Sequence, residues 1–175
     1  MAAKTISPEL MNKYKTQYAE TLESLSAKQP VLLVFLRHFG CTFCREAVAE
    51  LGGLRKQIEA GGTRLAFVHL ADGDEKARKF FGQHELQDVP RIGDPSGELY
   101  QAFGLLQAEW HQYFNYESIV RMLIAWLHGH WVGAPAGDVE RMPGTFLLVN
   151  GEIKKAFRNK LVSDRPDYLK MAAVC

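Results

Sequence analysis

The sequence predicts an α/β fold: a central mixed sheet flanked by helices. Three observations predict it. Val31 to Leu36 (VLLVFL) is an unbroken apolar run, the pattern of a strand buried on both faces. A helical pattern follows, with Ala47, Leu51, Leu54 and Ile58 on one face and Gly61-Gly62 as its stop. Arg64 to Leu70 (RLAFVHL) is then a second strand. Strand, helix and strand in that order form a βαβ unit, whose crossover is right-handed.

The other elements follow in chain order. Residues 8–27 read as one N-terminal helix, with Ser7 as cap, Pro8 at the first helical position, and Leu10, Tyr14, Tyr18, Leu22 and Leu25 at helical spacing. Gln29-Pro30 ends it. After the second strand, a helix fits Asp74 to Leu86, with Ala77, Phe80 and Phe81 facing inward. Val89 to Ile92 suits a short strand, Asp94-Pro95-Ser96-Gly97 a turn, and Leu99, Tyr100 and Phe103 a short helix. Residues 105–141 read as a partly helical insertion holding Trp110, Trp126 and Trp131, whose bulk suits a core of its own. Asn150-Gly151 between two apolar runs, Thr145 to Val149 and Glu152 to Phe157, is a strong hairpin signal. A short helix is expected after Pro166.

Composition narrows the function. With 175 residues the chain is expected to form one domain, residues 1–175. Lys plus Arg number 21 and Asp plus Glu 20, a net charge of +1, so there is no basic excess for a phosphate backbone and no nucleic-acid partner is expected. The longest stretch free of charged residues, Met122 to Gly137, is interrupted by His128, Gly129 and His130 and is too short for a spanning helix, so no membrane partner is expected either. Three cysteines make a secreted disulfide framework unexpected, and the first residues carry no apolar run of a signal peptide. A cytoplasmic location is the expectation.

The chemistry concentrates at Cys41 and Cys44, a C-x-x-C pair that follows a buried strand and opens a helix. In that context the motif reads as thioredoxin-like. Residues three apart share a helix face, so their sulfurs can reach disulfide distance. The open helix end favours a thiolate, and Arg37, His38 and Arg45 add positive potential. A zinc site would need two more ligands, and His128 and His130 show no second ligand motif. Cys175 reads as a free thiol at the chain end, and His69 as a packed strand histidine. Phe35, Phe67, Phe80 and Phe81 read as core.

Val31 to Leu51 (VLLVFLRHFGCTFCREAVAEL) resembles the active-site segment of the peroxiredoxin-like AhpC/TSA family, in particular the selenoprotein L-related branch with C-x-x-C. Asp94 to Gly104 is similar to that family's segment after its third strand, and Gly144 to Ile153 to its closing hairpin. The resemblance implies a thioredoxin-like fold and thiol-dependent redox activity, with a thioredoxin- or glutathione-type donor, a peroxide or disulfide substrate and no metal or organic cofactor. Cys41 and Cys44 would be the catalytic pair, with Pro143, Thr42 and Phe43 shaping the substrate groove. It also implies a cis Met142–Pro143 bond beside the pair and a supporting arginine, for which Arg158 is the candidate. Typical members carry Pro-x-x-x-Thr/Ser-x-x-Cys; here Cys41 stands in the hydroxyl position and Cys44 in the cysteine position. Three functions stay open: a thiol–disulfide redox protein, a peroxidase reducing hydroperoxides, and a non-catalytic redox sensor or binding module.

Overall fold

The computed structural model describes residues 6–105 and 141–174. The Trp-rich segment, His128, His130 and Cys175 lie outside the described residues. Along the chain come α1 (Pro8–Lys13), α2 (Leu22–Lys28), β1 (Val31–Phe35), α3 (Thr42–Ala60), β2 (Arg64–His69) and α4 (Asp74–Gly82). They are followed by β3 (Arg91–Gly93), α5 (Glu98–Ala102), β4 (Gly144–Val149), β5 (Glu152–Arg158) and α6 (Tyr168–Ala172).

The five strands form one mixed sheet in the order β3-β2-β1-β4-β5. β1 pairs in parallel with β2, and β2 with β3, as the βαβ reading requires. β4 and β5 complete the sheet antiparallel, joined by Asn150-Gly151, both at positive φ (50° and 77°). Those angles are what a two-residue type I′ turn demands, and Asn and Gly tolerate them.

Side chains of β1 alternate between two cores because successive residues of a strand point to opposite faces. Leu32, Val34 and Leu36 pack with α3, α4 and α6; Val31, Leu33 and Phe35 pack with α1, α2 and α5. All five β1 residues are buried, which accounts for the unbroken apolar run.

The N-terminal region departs from expectation. One helix over residues 8–27 is replaced by α1 and α2, separated by a turn in which Lys15 bridges Thr21. Thr21 caps α2 by accepting from the Ser24 amide at 3.1 Å, and Ala19 takes a positive φ of 59°. Tyr14 leaves the helical pattern because its hydroxyl donates to the wholly buried Asp94 carboxylate at 3.0 Å. α4 is shorter than expected, ending at Gly82 before Glu85 turns to a positive φ of 56°.

The end of β1 is pinned for the chemistry that follows it. Tyr100 on α5 donates its hydroxyl to the carbonyls of Leu36 and Val68, both at the carboxyl ends of parallel strands. The antiparallel register sets Phe35 opposite Gly144. Pro143, one residue earlier, therefore lies level with the turn that leads into α3.

Candidate active site

Four residues, Arg37 to Gly40, separate Leu36 from Cys41, the N-cap of α3. The turn closes through the Cys41 amide donating to the His38 carbonyl at 3.0 Å. Phe39 fills it from below, stacking on Phe80 with ring centroids 4.6 Å apart. Both sulfurs end up buried, Cys41 at 6% and Cys44 at 3% exposure, and both are free thiols.

Their environments differ. Cys44 donates its thiol to the Cys41 sulfur, and that bond is the main reason the Cys41 thiol is held below the ordinary range. Burial opposes the shift; the Arg37 guanidinium and the amides of Phe43 and Cys44 at the open end of α3 assist it. The same bond and burial push the Cys44 thiol well up. The two opposite shifts favour the negative charge on Cys41 and the proton on Cys44.

Only part of the expected positive potential reaches the sulfurs. Arg37 Nη1 donates to Cys41 Sγ at 3.7 Å, and the Arg37 amide donates to Cys44 Sγ at 3.4 Å. Arg45 turns away and donates Nε to the Phe39 carbonyl at 3.1 Å. Burial and the neighbouring Arg37 charge push His38 down to about 4, so it is neutral at physiological pH.

A cavity of about 30 Å³ opens beside Cys44, lined among others by Leu36, Phe43, Ala47, Pro143, Thr145, Val162 and Tyr168. That volume holds one or two water-sized atoms. Arg165 closes its rim by pairing with Glu46 and, at 3.2 Å, with Glu50 on α3. Among the described residues no cluster of three or more His, Cys, Asp or Glu is placed to hold a metal ion.

A family model described as the AhpC/TSA family matches residues 6–156, most of the sheet and both cysteines included. The chain belongs to the AhpC/TSA family. A peroxiredoxin Q variant from Xanthomonas campestris superposes with a TM-score of 0.64 at 16% identity, covering 93% of this chain and 91% of that one. Peroxiredoxin 6 of Arenicola marina gives a TM-score of 0.65 at 11% identity over 98% and 70% of the two chains. At those identities the likeness is one of fold, the thioredoxin-like fold of peroxiredoxins. Among curated proteins, a prostamide/prostaglandin F synthase from Salmo salar is 39% identical over 70 residues, which is 39% of this chain and 35% of that protein. A synthase of the same name from Danio rerio is 39% identical over 57 residues, 27% of its length. The chain thus matches about a third of these relatives.

Within the AhpC/TSA frame, the other expected site residues fall unevenly. Pro143 and Phe43 line the cavity with Cys44. The Met142–Pro143 bond is trans, since the described residues contain no cis peptide bond; the expected cis isomer is corrected while the proline's position beside Cys44 stands. Thr42 does not line that cavity; its side chain is buried, and among the described residues its Oγ1 has no hydrogen-bond partner. Arg158 is the second correction. It donates Nε to the Phe103 carbonyl at 2.8 Å and lies over the Phe146 ring, on the face of the sheet opposite the cysteines. The cause is a β-bulge: Leu148 pairs with Ile153 but Leu147 with Lys155, so one extra residue flips the alternation along β5. Strict alternation from Ile153 would have put Arg158 on the cysteine side.

Proposed function

We propose that the protein is a thiol–disulfide oxidoreductase of the peroxiredoxin-like class, in which Cys41 attacks and Cys44 resolves. One observation carries the reading: two buried free thiols sit three residues apart at the open end of α3, with Arg37 Nη1 donating to Cys41 Sγ at 3.7 Å, an arrangement that favours the negative charge on Cys41. The thiolate is the nucleophile of disulfide exchange, and the thiol beside it is the natural second attacker. The Cys41 thiolate attacks a disulfide R–S–S–R′, forming a Cys41–S–S–R bond and expelling R′S⁻. Cys44 then loses its proton, attacks the Cys41 sulfur and expels RS⁻. The substrate gains two electrons and the protein holds a Cys41–Cys44 disulfide, which a thioredoxin- or glutathione-type thiol donor reduces again.

Peroxide reduction is the second reading, favoured by the small cavity on Cys44 and by the resemblance, which sets Cys44 in the cysteine position of Pro-x-x-x-Thr/Ser-x-x-Cys. That route needs Cys44 as thiolate, whereas its environment holds it as thiol. The two synthases are named for making prostamide F and prostaglandin F, so precursors of those products belong in the same assay as candidates.

The experiment is thiol-trapping mass spectrometry of residues 41 and 44 during incubation with a disulfide or a hydroperoxide and excess reduced thioredoxin. Repeated turnover with the disulfide, passing through a Cys41–Cys44 disulfide, is the expected result. A single oxidation that never turns over identifies a sensor instead, and turnover with peroxide alone makes the protein a peroxidase.

A further inference from the structure

A hydrogen bond between two thiols is reciprocal: either sulfur can hold the charge while the other holds the proton. Something outside the pair has to break the tie. Among the described residues, the candidates are the charged and titratable groups on the elements around it. On the turn, His38 is neutral, and Arg45 directs its Nε to the Phe39 carbonyl. At the end of β2, His69 is pushed down to about 4, chiefly by burial, and its ring lies against Phe39, with ring centroids 5.2 Å apart. On α3, Glu46 and Glu50 pair with Arg165. Near the cavity, Asp164 accepts the amides of Lys160 and Leu161, and burial holds the Tyr168 phenol protonated. Arg141 enters through its carbonyl, as an anchor.

Among the described residues two features then favour charge on Cys41: the Phe43 and Cys44 amides at the open end of α3, and Arg37, which contacts the two sulfurs through different groups. Arg37 is 4% exposed, and its side chain is fixed by Nε donating to the Arg141 carbonyl at 3.1 Å. From that anchor Nη1 donates to Cys41 Sγ at 3.7 Å and the Arg37 amide donates to Cys44 Sγ at 3.4 Å; the guanidinium charge favours a thiolate on either sulfur, but its hydrogen bond goes to Cys41. A guanidinium keeps its charge at any working pH, so the asymmetry is permanent.

We propose that Arg37 is a catalytic residue of the thiol chemistry, its guanidinium selecting Cys41 over Cys44 as the sulfur that carries the negative charge and attacks first. The role rests on the dithiol reading of the pair given above. It also puts the functional arginine at the end of β1 rather than on β5, where Arg158 faces the other core.

The test is residue-resolved alkylation of the reduced protein with iodoacetamide, from about pH 5 to about pH 10, in wild type, Arg37→Gln and Arg37→Lys. In wild type, Cys41 is labelled ahead of Cys44 throughout the acid half of the range. Arg37→Gln is expected to slow Cys41 labelling about tenfold near pH 6.5, to move its midpoint upward, and to even out the two sulfurs. Arg37→Lys, which keeps a cation, is expected to preserve the order. A Cys41 profile in Arg37→Gln that superimposes on wild type overturns the proposal, and so does an equal loss in Gln and Lys variants, which would mark a packing role. Should Arg37→Gln not fold, Arg37→Lys decides: Cys41 still labelled first supports the role, and labelling led by Cys44 overturns it. Alkylation needs no disulfide substrate. A protein that orders its sulfurs this way yet never turns over would sink the oxidoreductase reading and leave Arg37's role standing.

Discussion

Asp94 shows how much one side chain can organise away from the chemistry. It is wholly buried and accepts from the Leu99 amide at 2.8 Å, the Ser96 hydroxyl at 2.8 Å and the Tyr14 hydroxyl at 3.0 Å. The first two order the start of α5, and the third ties the N-terminal segment to it. Replacing Asp94 with Ala leaves buried donors unsatisfied, so a loss of about 2–4 kcal/mol is expected. Urea denaturation checks this, and a loss under about 0.5 kcal/mol would show that water takes over the carboxylate's role. Residues like this were half legible. Composition marks Asp94-Pro95-Ser96-Gly97 as a turn, but nothing local announces a tyrosine eighty positions away. The cysteine pair was legible for the opposite reason: its three-residue spacing and its place after a buried strand are local. Arg37 stood in view, four residues before Cys41, but which nearby cation touches the sulfurs depends on how the turn closes.

At the scale of elements, α3 carries two adjacent glycines with opposite roles. An added Cβ at Gly52 would lie 2.9 Å from the His84 carbonyl oxygen, while at Gly53 it would meet nothing within 4 Å. Gly53→Ala is therefore expected to raise stability by about 0.5–1 kcal/mol through helix propensity. Gly52→Ala should lower it by about 1–3 kcal/mol, because backbone has to move. Thermal unfolding of both variants checks the contrast; two gains would mean the α3–His84 approach is looser than described. The β1–α3–β2 unit was legible because each strand is buried on both faces and reads as one apolar run. The N-terminal helix misled: the spacing of Tyr14 and Tyr18 is helical, yet Tyr18 is 54% exposed and Tyr14 is drawn off to Asp94. The bulge in β5 left no mark in the hydrophobic pattern, so the face of the sheet on which Arg158 lies was not legible in the sequence.

Across the whole molecule, pH dependence tests how tightly the sheet's carboxyl end is buried. His69 is 3% exposed, and burial, with help from the Arg91 charge, pushes it down to about 4. The unfolded chain binds a proton at this side chain below about pH 6.5 and the folded chain does not, so stability falls as pH drops from about 6.5 towards 4. The full effect of that one residue is about 3 kcal/mol, reached below pH 4. Urea denaturation at pH 7, 6, 5 and 4.5 reads the slope, and His69→Gln should flatten it. An unchanged slope in His69→Gln would assign the acid sensitivity to other groups.

The same buried end of the sheet holds the cysteines, and the account turns on the order in which they act. Single Cys→Ser variants, incubated with a disulfide substrate and mapped by peptide mass, read that order most directly. Cys44→Ser keeps the Arg37-facing sulfur and loses the resolver, so it should accumulate a mixed disulfide on Cys41, while Cys41→Ser should accumulate none. A mixed disulfide that forms only in Cys41→Ser, on Cys44, would contradict the account and make Cys44 the attacking sulfur.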